Sequence, residues 1–223
     1  SAAAHKVVPS GGCYALLPNF TPTVTPFEQN LNQNNWSARL GLNYKFDNGT
    51  LLYATVTQGY KSGIFASTSP SATYQYAPAM QEKVIAYEAG FKAPLFDRRL
   101  QLNGGAFYYD YSDKQVRVRV SDAIFGLLEK LVNVPKSRIW GLEAEINAVP
   151  VDGLTVSAGA TYLNSKVTSN FSSATTPQGQ VLAVFSQAGY TGNFKGSELP
   201  FTPKFSANAD MQYEWEMGGV KPF

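Results

Sequence analysis

The sequence has one cysteine, one histidine and few charged residues, 15% of 223. One cysteine, Cys13, cannot build an internal disulfide framework. One histidine, His5, leaves little room for zinc or catalytic sites that rely on imidazoles. The charged share is well below the roughly 25% usual for soluble domains. A net charge of +2 supplies no polybasic footprint, so nucleic acid is not an expected partner. The longest unbroken apolar run, Val181–Phe185, has five residues, which excludes a membrane helix of ~20 apolar residues. Walker-type loops, nucleophile elbows and metal-ligand clusters are also missing, so no cofactor is expected. What is present is 44% hydrophobic and 13% aromatic residues, on a chain long enough for one cored domain. That composition fits an all-β protein, either soluble or a membrane barrel.

The N-terminal stretch 1–32 has no regular period and holds Pro9, Pro18, Pro22 and Pro26. It reads as an irregular segment, extracellular if the rest is a barrel. Gly11-Gly12-Cys13 looks superficially like a lipoprotein cleavage box, but no apolar signal stretch precedes it. At the other end, 217–223 reads as a turn. The sequence as a whole reads as a piece of a longer chain.

From Asn35 onward apolar and polar residues alternate over nine to thirteen residues at a time. Trp36, Ala38, Leu40, Leu42, Tyr44 and Phe46 oppose Ser37, Arg39, Gly41, Asn43 and Lys45. Leu100–Tyr108, Trp140–Ala148, Leu154–Tyr162 and Pro203–Trp215 repeat the pattern, Glu82–Lys92 does so more weakly, and Leu51–Tyr60 is a strand of ambiguous facing. Period two is the mark of a strand with two different faces. Strands of globular proteins usually run ~5–6 residues, whereas a membrane-crossing strand needs ~9–11. Aromatic residues close the apolar face at its ends (Tyr44 and Phe46, Trp140, Tyr162, Tyr213 and Trp215), as in the girdles of a lipid-facing barrel. The opposite face carries Arg39, Lys45, Glu143, Glu145 and Asp210, which a dry sandwich core would not bury unpaired and a wet lumen accommodates.

Short connections at Asp47–Gly49, Pro94–Arg98 and Pro150–Gly153 alternate with long polar ones at Lys61–Gln81, Asp113–Val134 and Lys166–Glu198. Short turns on one side and long loops on the other is the layout of outer-membrane barrels, with the long loops outside the cell. The pattern predicts about seven antiparallel strands, each paired with its sequence neighbours. In lipid an open sheet edge is costly, and bacterial barrels have an even strand number from 8 upward. The fold class is therefore a transmembrane antiparallel up-and-down β-barrel, with 33–223 forming an arc of a larger one. A closed eight-stranded barrel with one strand inside 1–32 is the alternative.

Several residues are candidates for ligand contact, each with a plainer explanation beside it. Tyr60, in Gly59–Gly63, stands where a strand leaves the membrane and is a loop-base contact or a girdle residue. Tyr74 and Tyr76 are loop aromatics suited to stacking on a ligand. Arg117 and Arg119 alternate with Val116, Val118 and Val120, so both guanidinium groups point one way. They could hold an anionic chelate, or belong to a solvated strand extension or a lipopolysaccharide contact. Glu143 and Glu145 could be read as a glycosidase pair, but lumen hydration or salt bridging is the plainer explanation.

Leu52-Tyr-Ala-Thr-Val-Thr-Gln-Gly-Tyr-Lys-Ser-Gly63, Glu82-Lys-Val-Ile-Ala-Tyr-Glu-Ala-Gly-Phe-Lys92, Arg99–Gln115 with Phe107-Tyr-Tyr-Asp-Tyr111, and Asn133–Glu145 resemble the barrel of TonB-dependent outer-membrane receptors, the iron-complex receptors of Gram-negative bacteria. Asp152-Gly-Leu-Thr-Val156 and Leu199-Pro-Phe-Thr-Pro203 fit the same pattern, and the resemblance spans about Trp36 to Trp215. It implies a barrel of about 22 strands occluded by an N-terminal plug. It also implies a segment that meets the TonB–ExbB–ExbD complex, and neither plug nor segment is visible in this sequence. The function it implies is uptake of a ferric siderophore or a similar scarce nutrient, without covalent catalysis, in a wall surrounded by outer-membrane lipid and lipopolysaccharide. A passive porin, or a small barrel enzyme or adhesin, is the rival expectation.

Overall fold

Alternation of this length leaves the backbone one way to satisfy its polar groups, pairing with neighbouring strands, and the chain takes it. The computed structural model describes residues 15–17, 21–23, 28–65, 71, 73–122, 124–171, 182–183 and 193–215. Two short strands, β1 (Ala15–Leu16) and β2 (Pro22–Thr23), pair with each other. The long strands are β3 (Ala38–Lys45), β4 (Leu51–Lys61), β5 (Glu82–Leu95), β6 (Leu100–Asp122), β7 (Gly126–Ala148) and β8 (Leu154–Val167). After a two-residue strand β9 (Leu182–Ala183), paired with Arg119 and Val120 of β6, comes β10 (Phe205–Tyr213). A 3-10 turn covers Thr73–Tyr76. Apart from β9, the sheet has the order β10-β8-β7-β6-β5-β4-β3, antiparallel throughout, so each long strand sits beside its sequence neighbours. Among the described residues β3 and β10 each pair on one side, and the sheet does not close.

The register gives the sheet two chemically distinct faces. Leu42, Ala54, Ala89, Ala106, Leu142, Tyr162 and Phe205 form one continuous row. The adjacent row on the other face is Asn43, Tyr53, Gly90, Gly105, Glu143, Thr161 and Ser206. The facing of Leu51–Tyr60, ambiguous in sequence, follows from pairing: Leu52, Ala54 and Val56 share the face of Leu42. On that face Leu40 and Leu42 are 73% and 74% exposed and Met211 is 72% exposed. No second sheet or helix covers them among the described residues.

Aromatic rings border this apolar face. Tyr87, Tyr108 and Trp140 lie in one row, with Tyr162 and Phe205 one row below. Tyr87 and Tyr108 have ring centroids 6.4 Å apart, and Trp140 and Tyr162 5.7 Å. At the other margin Tyr44 meets Phe46 edge-on at 4.7 Å, and Tyr213 stacks on Trp215 at 6.0 Å. Phe205 to Tyr213 is eight strand steps. At ~3.4 Å per step and a tilt of ~40°, that is ~20 Å of height, close to the ~25 Å apolar band of a barrel. Between the two margins the face carries no Asp, Glu, Lys or Arg.

The connection Asp113–Val134, expected from its polarity to be a long loop, is instead the upper part of a hairpin between two 23-residue strands. Its alternating valines were the strand signal, and Arg117, Arg119 and Glu129 occupy the solvent side. The ladder breaks once, where Asp113 has φ 53° opposite Pro135, which has no N–H to donate. Beyond that point Val116 and Val134 pack with Ile139, Val167 and Leu199, bringing in Phe107, Tyr109, Tyr111 and Leu163. Ile139, Phe107 and Tyr109 belong to the polar face, so the break turns the hairpin over that face. Buried apolar clusters therefore sit at the rim rather than under the sheet. A second one joins Val118, Val132 and Phe194.

At the opposite rim the turns are tight. Gly49 has φ 87°, and its N–H donates to the Phe46 carbonyl at 3.0 Å. Phe96, Asp97 and Arg98 are all left-handed (φ 50°, 53° and 68°), held by the Arg99 N–H on the Phe96 carbonyl at 3.0 Å. Of segment 1–32, positions 1–14 lie outside the described residues, as do the expected turn at 217–223 and most of the connection at 172–192. Leu16 is buried, and its N–H donates to Ser71 O at 2.7 Å while its carbonyl accepts from Thr73 Oγ1 at 3.2 Å.

Candidate functional site

The polar face is built by small residues beside large ones. Tyr53 lies so close to Gly90 that a Cβ there would stand 2.5 Å from its hydroxyl. Phe107 lies against Gly141 in the same way, its ring 2.5 Å from where a Cβ would be. Glycine at these positions lets a ring lie flat on the wall. Around the rings the carboxylates are tied in. Glu88 accepts from Thr55 Oγ1 at 3.2 Å and from the Tyr109 hydroxyl at 2.9 Å. Glu145 accepts from the side-chain amides of Asn103 at 3.2 Å and Asn147 at 2.9 Å, and Ser157 donates to Asn147 at 2.8 Å. A trough on this wall is lined by Tyr53, Lys92, Glu143, Glu145 and Asn208, among others. Arg39, Lys45, Glu143, Glu145 and Asp210 all fall on the face opposite Leu42 and Met211 by register.

Toward the hairpin rim a polar brace joins three connections. Glu82 is buried at the start of β5; it accepts the Gln115 N–H at 2.8 Å and pairs with Lys114 at 3.5 Å. Gln115 donates its amide to the carbonyls of Ser62 at 2.8 Å and Met80 at 3.0 Å. Its strand partner Asn133 bonds both ways with the Met80 backbone, accepting its N–H at 2.7 Å and donating to its carbonyl at 2.9 Å. The Gly63 N–H donates to Gln33 Oε1 at 2.9 Å. Lys114 also stands 3.8 Å over the Tyr111 ring, whose hydroxyl burial pushes its pKa above the ordinary value. Sequence reasoning missed Glu82, Gln115 and Asn133. The usable signal was two amide side chains facing each other inside a stretch of strand alternation.

The candidate ligand residues do not converge. Arg117 and Arg119 are exposed on one side of the hairpin, and Val116 and Val118 are buried on the other. Arg117 pairs with Glu129 at 3.4 Å. Lys130, across the strand from Val118, has its pKa lowered by burial. Tyr60 lies on the apolar side by register, opposite Lys83, whose ammonium stands 5.9 Å from its ring. Tyr74 and Tyr76 belong to the 3-10 turn; Tyr76 is half-buried. Among the described residues no group of three or more metal-ligating side chains converges.

Comparison with known proteins supplies a frame for this geometry. The family model described as "TonB dependent receptor-like, beta-barrel" matches residues 17–221. The crystal structure of the ferric yersiniabactin uptake receptor FyuA from Yersinia pestis is similar to 82% of this chain, at 20% identity and a TM-score of 0.57. The match covers 23% of that receptor. The siderophore receptor PirA from Acinetobacter baumannii aligns with 80% of this chain and 26% of its own, at 16% identity and a TM-score of 0.48. The chain thus spans about a quarter of the length of these solved structures.

Proposed function

The chain belongs to the TonB-dependent receptor β-barrel family, and from that membership we propose that it forms part of the wall of an outer-membrane receptor importing a ferric siderophore or a similarly large, scarce nutrient. The observation that carries this is the division of faces. One side is apolar, exposed and bordered by aromatic rings; the other is polar and lined with tied-down carboxylates and rings. The first suits hydrocarbon, and the second suits a hydrated passage. In this proposal the bacterium is Gram-negative, and energy comes from the inner-membrane proton gradient through TonB–ExbB–ExbD. A plug outside this arc makes the contact with TonB. The arc binds and guides; it makes and breaks no covalent bond. On the outer rim the brace of Glu82, Gln115 and Asn133 holds the connections in place, and Arg117 and Arg119 attract an anionic chelate.

The test uses the full-length receptor in a strain lacking its own copy, with growth on single ferric chelates under iron limitation. Growth that requires both this receptor and TonB supports the proposal. Uptake that persists without TonB would mean a passive pore instead. With a supporting chelate in hand, Arg117→Ala/Arg119→Ala should weaken binding by about tenfold, as expected for two exposed charge contacts. Unchanged affinity would leave the two arginines a purely structural role on the hairpin.

A further inference from the structure

A column of aromatic side chains runs down the polar wall along β6. Tyr111, Tyr109 and Phe107 occupy alternate positions and so share that face. Phe107 and Tyr109 stack with ring centroids 5.0 Å apart, and Tyr109 meets Tyr111 edge-on at 6.4 Å. Lys114 stands over the Tyr111 ring at 3.8 Å, so the column open to a ligand begins at Tyr109. One row below Phe107 the strand has only Gly105, and Tyr53 reaches across Gly90 from β4 to fill the place. A Cβ on Gly105 would stand 3.3 Å from the Tyr53 hydroxyl. Tyr53, Phe107 and Tyr109 are half-buried, and successive rows are ~7 Å apart.

Hydrogen-bonding groups stand at the edges of these rings. Glu88 is level with Phe107 by register and is held by the hydroxyls of Thr55 and Tyr109. Glu143 is level with Gly105, and its Oε1 lies 3.1 Å from where a Cβ on that glycine would be. Among the described residues neither Glu88 nor Glu143 belongs to an ion pair. The column opens into a trough of about 520 Å³, where Tyr53 and Glu143 stand with Asn103, Glu145 and Asn208. That volume lies within the ~300–1,000 Å³ of small-ligand sites. Ring faces at successive heights, with acceptor oxygens beside them, suit a ligand made of rings whose rims carry hydroxyls. An anionic group on this wall would instead meet Glu88, Glu143 and Glu145, and like charges set side by side repel.

We propose that Tyr109, Phe107 and Tyr53, with Glu88 and Glu143, form a binding track for uncharged hydroxylated rings, the chemistry shared by sugars and phenols. This deepens the function proposed above and rests on it, since the polar wall must face the passage. The rings take the faces of the ligand, and the two carboxylates accept its O–H groups. Gly90, Gly105 and Gly141 leave room for the protein's rings to lie along the wall and turn a face toward the passage. Arg117 and Arg119 act on charge at the hairpin, whereas the track reads the ring-bearing part of the ligand.

The experiment titrates purified full-length receptor in neutral detergent, with binding read by saturation-transfer NMR. The uncharged probes are maltoheptaose, catechol, and sorbitol, which carries hydroxyls on an open chain. The wild type should bind maltoheptaose or catechol and ignore sorbitol, and whichever ring probe binds tells a sugar source from a phenolic one. Tyr53→Leu/Phe107→Leu keeps apolar bulk but removes two ring faces, and it should weaken that probe about tenfold. If the double variant loses its heat-modifiable migration, Tyr53→Leu alone should still weaken it about threefold. Glu143→Gln keeps an acceptor oxygen and removes the charge, so an uncharged probe should bind as it does to the wild type. Tyr87→Leu/Tyr108→Leu, on the apolar face, should also bind as the wild type does. Binding of neither ring probe, binding of sorbitol as tight as theirs, or leucine variants that bind as the wild type does would overturn the track. The titration needs no TonB. Uptake that proves independent of TonB would therefore overturn the receptor proposal and leave the track standing, so the two failures are distinguishable.

Discussion

Ala209 stands at the middle of β10, four residues from Phe205 and four from Tyr213. Its row on the apolar face runs through Ala158 and Ile146, all uncharged. Its neighbour Asp210 is opposite Ser157 on the polar face. If hydrocarbon touches the first and water the second, one substitution should behave differently at adjacent positions. Ala209→Arg should destabilise the full-length receptor by ~2–4 kcal/mol in vesicle unfolding, the cost of a cation at the bilayer midplane. Asp210→Arg should cost far less. Residue identity on each face was legible in sequence because period two admits no other account over nine residues. What could not be read there was which glycine meets which ring. Gly90 under Tyr53 and Gly141 under Phe107 are partners across strands, and cross-strand register is absent from a local pattern.

The hairpin of β6 and β7 is the element on which sequence and structure part. Polar residues such as Asp113, Lys114, Asp122 and Glu129 suggested a loop, while Val116, Val118 and Val120 signalled strand. Tertiary packing decides between them: Val118 and Val132 close on Phe194, and Val116 and Val134 close on Val167 and Leu199. Phe194 and Leu199 come from a connection some sixty residues downstream, invisible to any window of local sequence. The hairpin should therefore be separable in stability from the wall below it. Val118→Ala removes buried methyl groups from the cluster with Val132 and Phe194 and should destabilise the hairpin by about 2 kcal/mol. Limited proteolysis should then cut between Lys114 and Lys130, with the heat-modifiable migration of the barrel retained. Proteolysis unchanged from wild type would mean that the valine cluster does not hold the hairpin in place.

At the scale of the whole molecule, the described residues form an arc of seven sequential antiparallel strands whose two edges have no partner among them. Strand number, sequential order and the tight turns could be read from turn residues and periodicity, whereas the long connection expected at Asp113–Val134 is a strand hairpin. The partners on the free edges of β3 and β10 could not be read, and among the described residues neither edge is paired. An arc has meaning inside a closed wall, since unpaired N–H and C=O groups in lipid cost several kcal/mol each. In the proposed receptor its two faces are the lipid boundary and the passage. Spin labels placed singly at Asn208, Ala209, Asp210, Met211 and Gln212 of the full-length receptor in vesicles, with Cys13 replaced by serine, test it directly. Collision rates with oxygen, which concentrates in hydrocarbon, should peak at 209 and 211. Rates with a water-soluble nickel chelate should peak at 208, 210 and 212. Rates that do not alternate between adjacent positions, or that alternate in the opposite phase, would contradict the account.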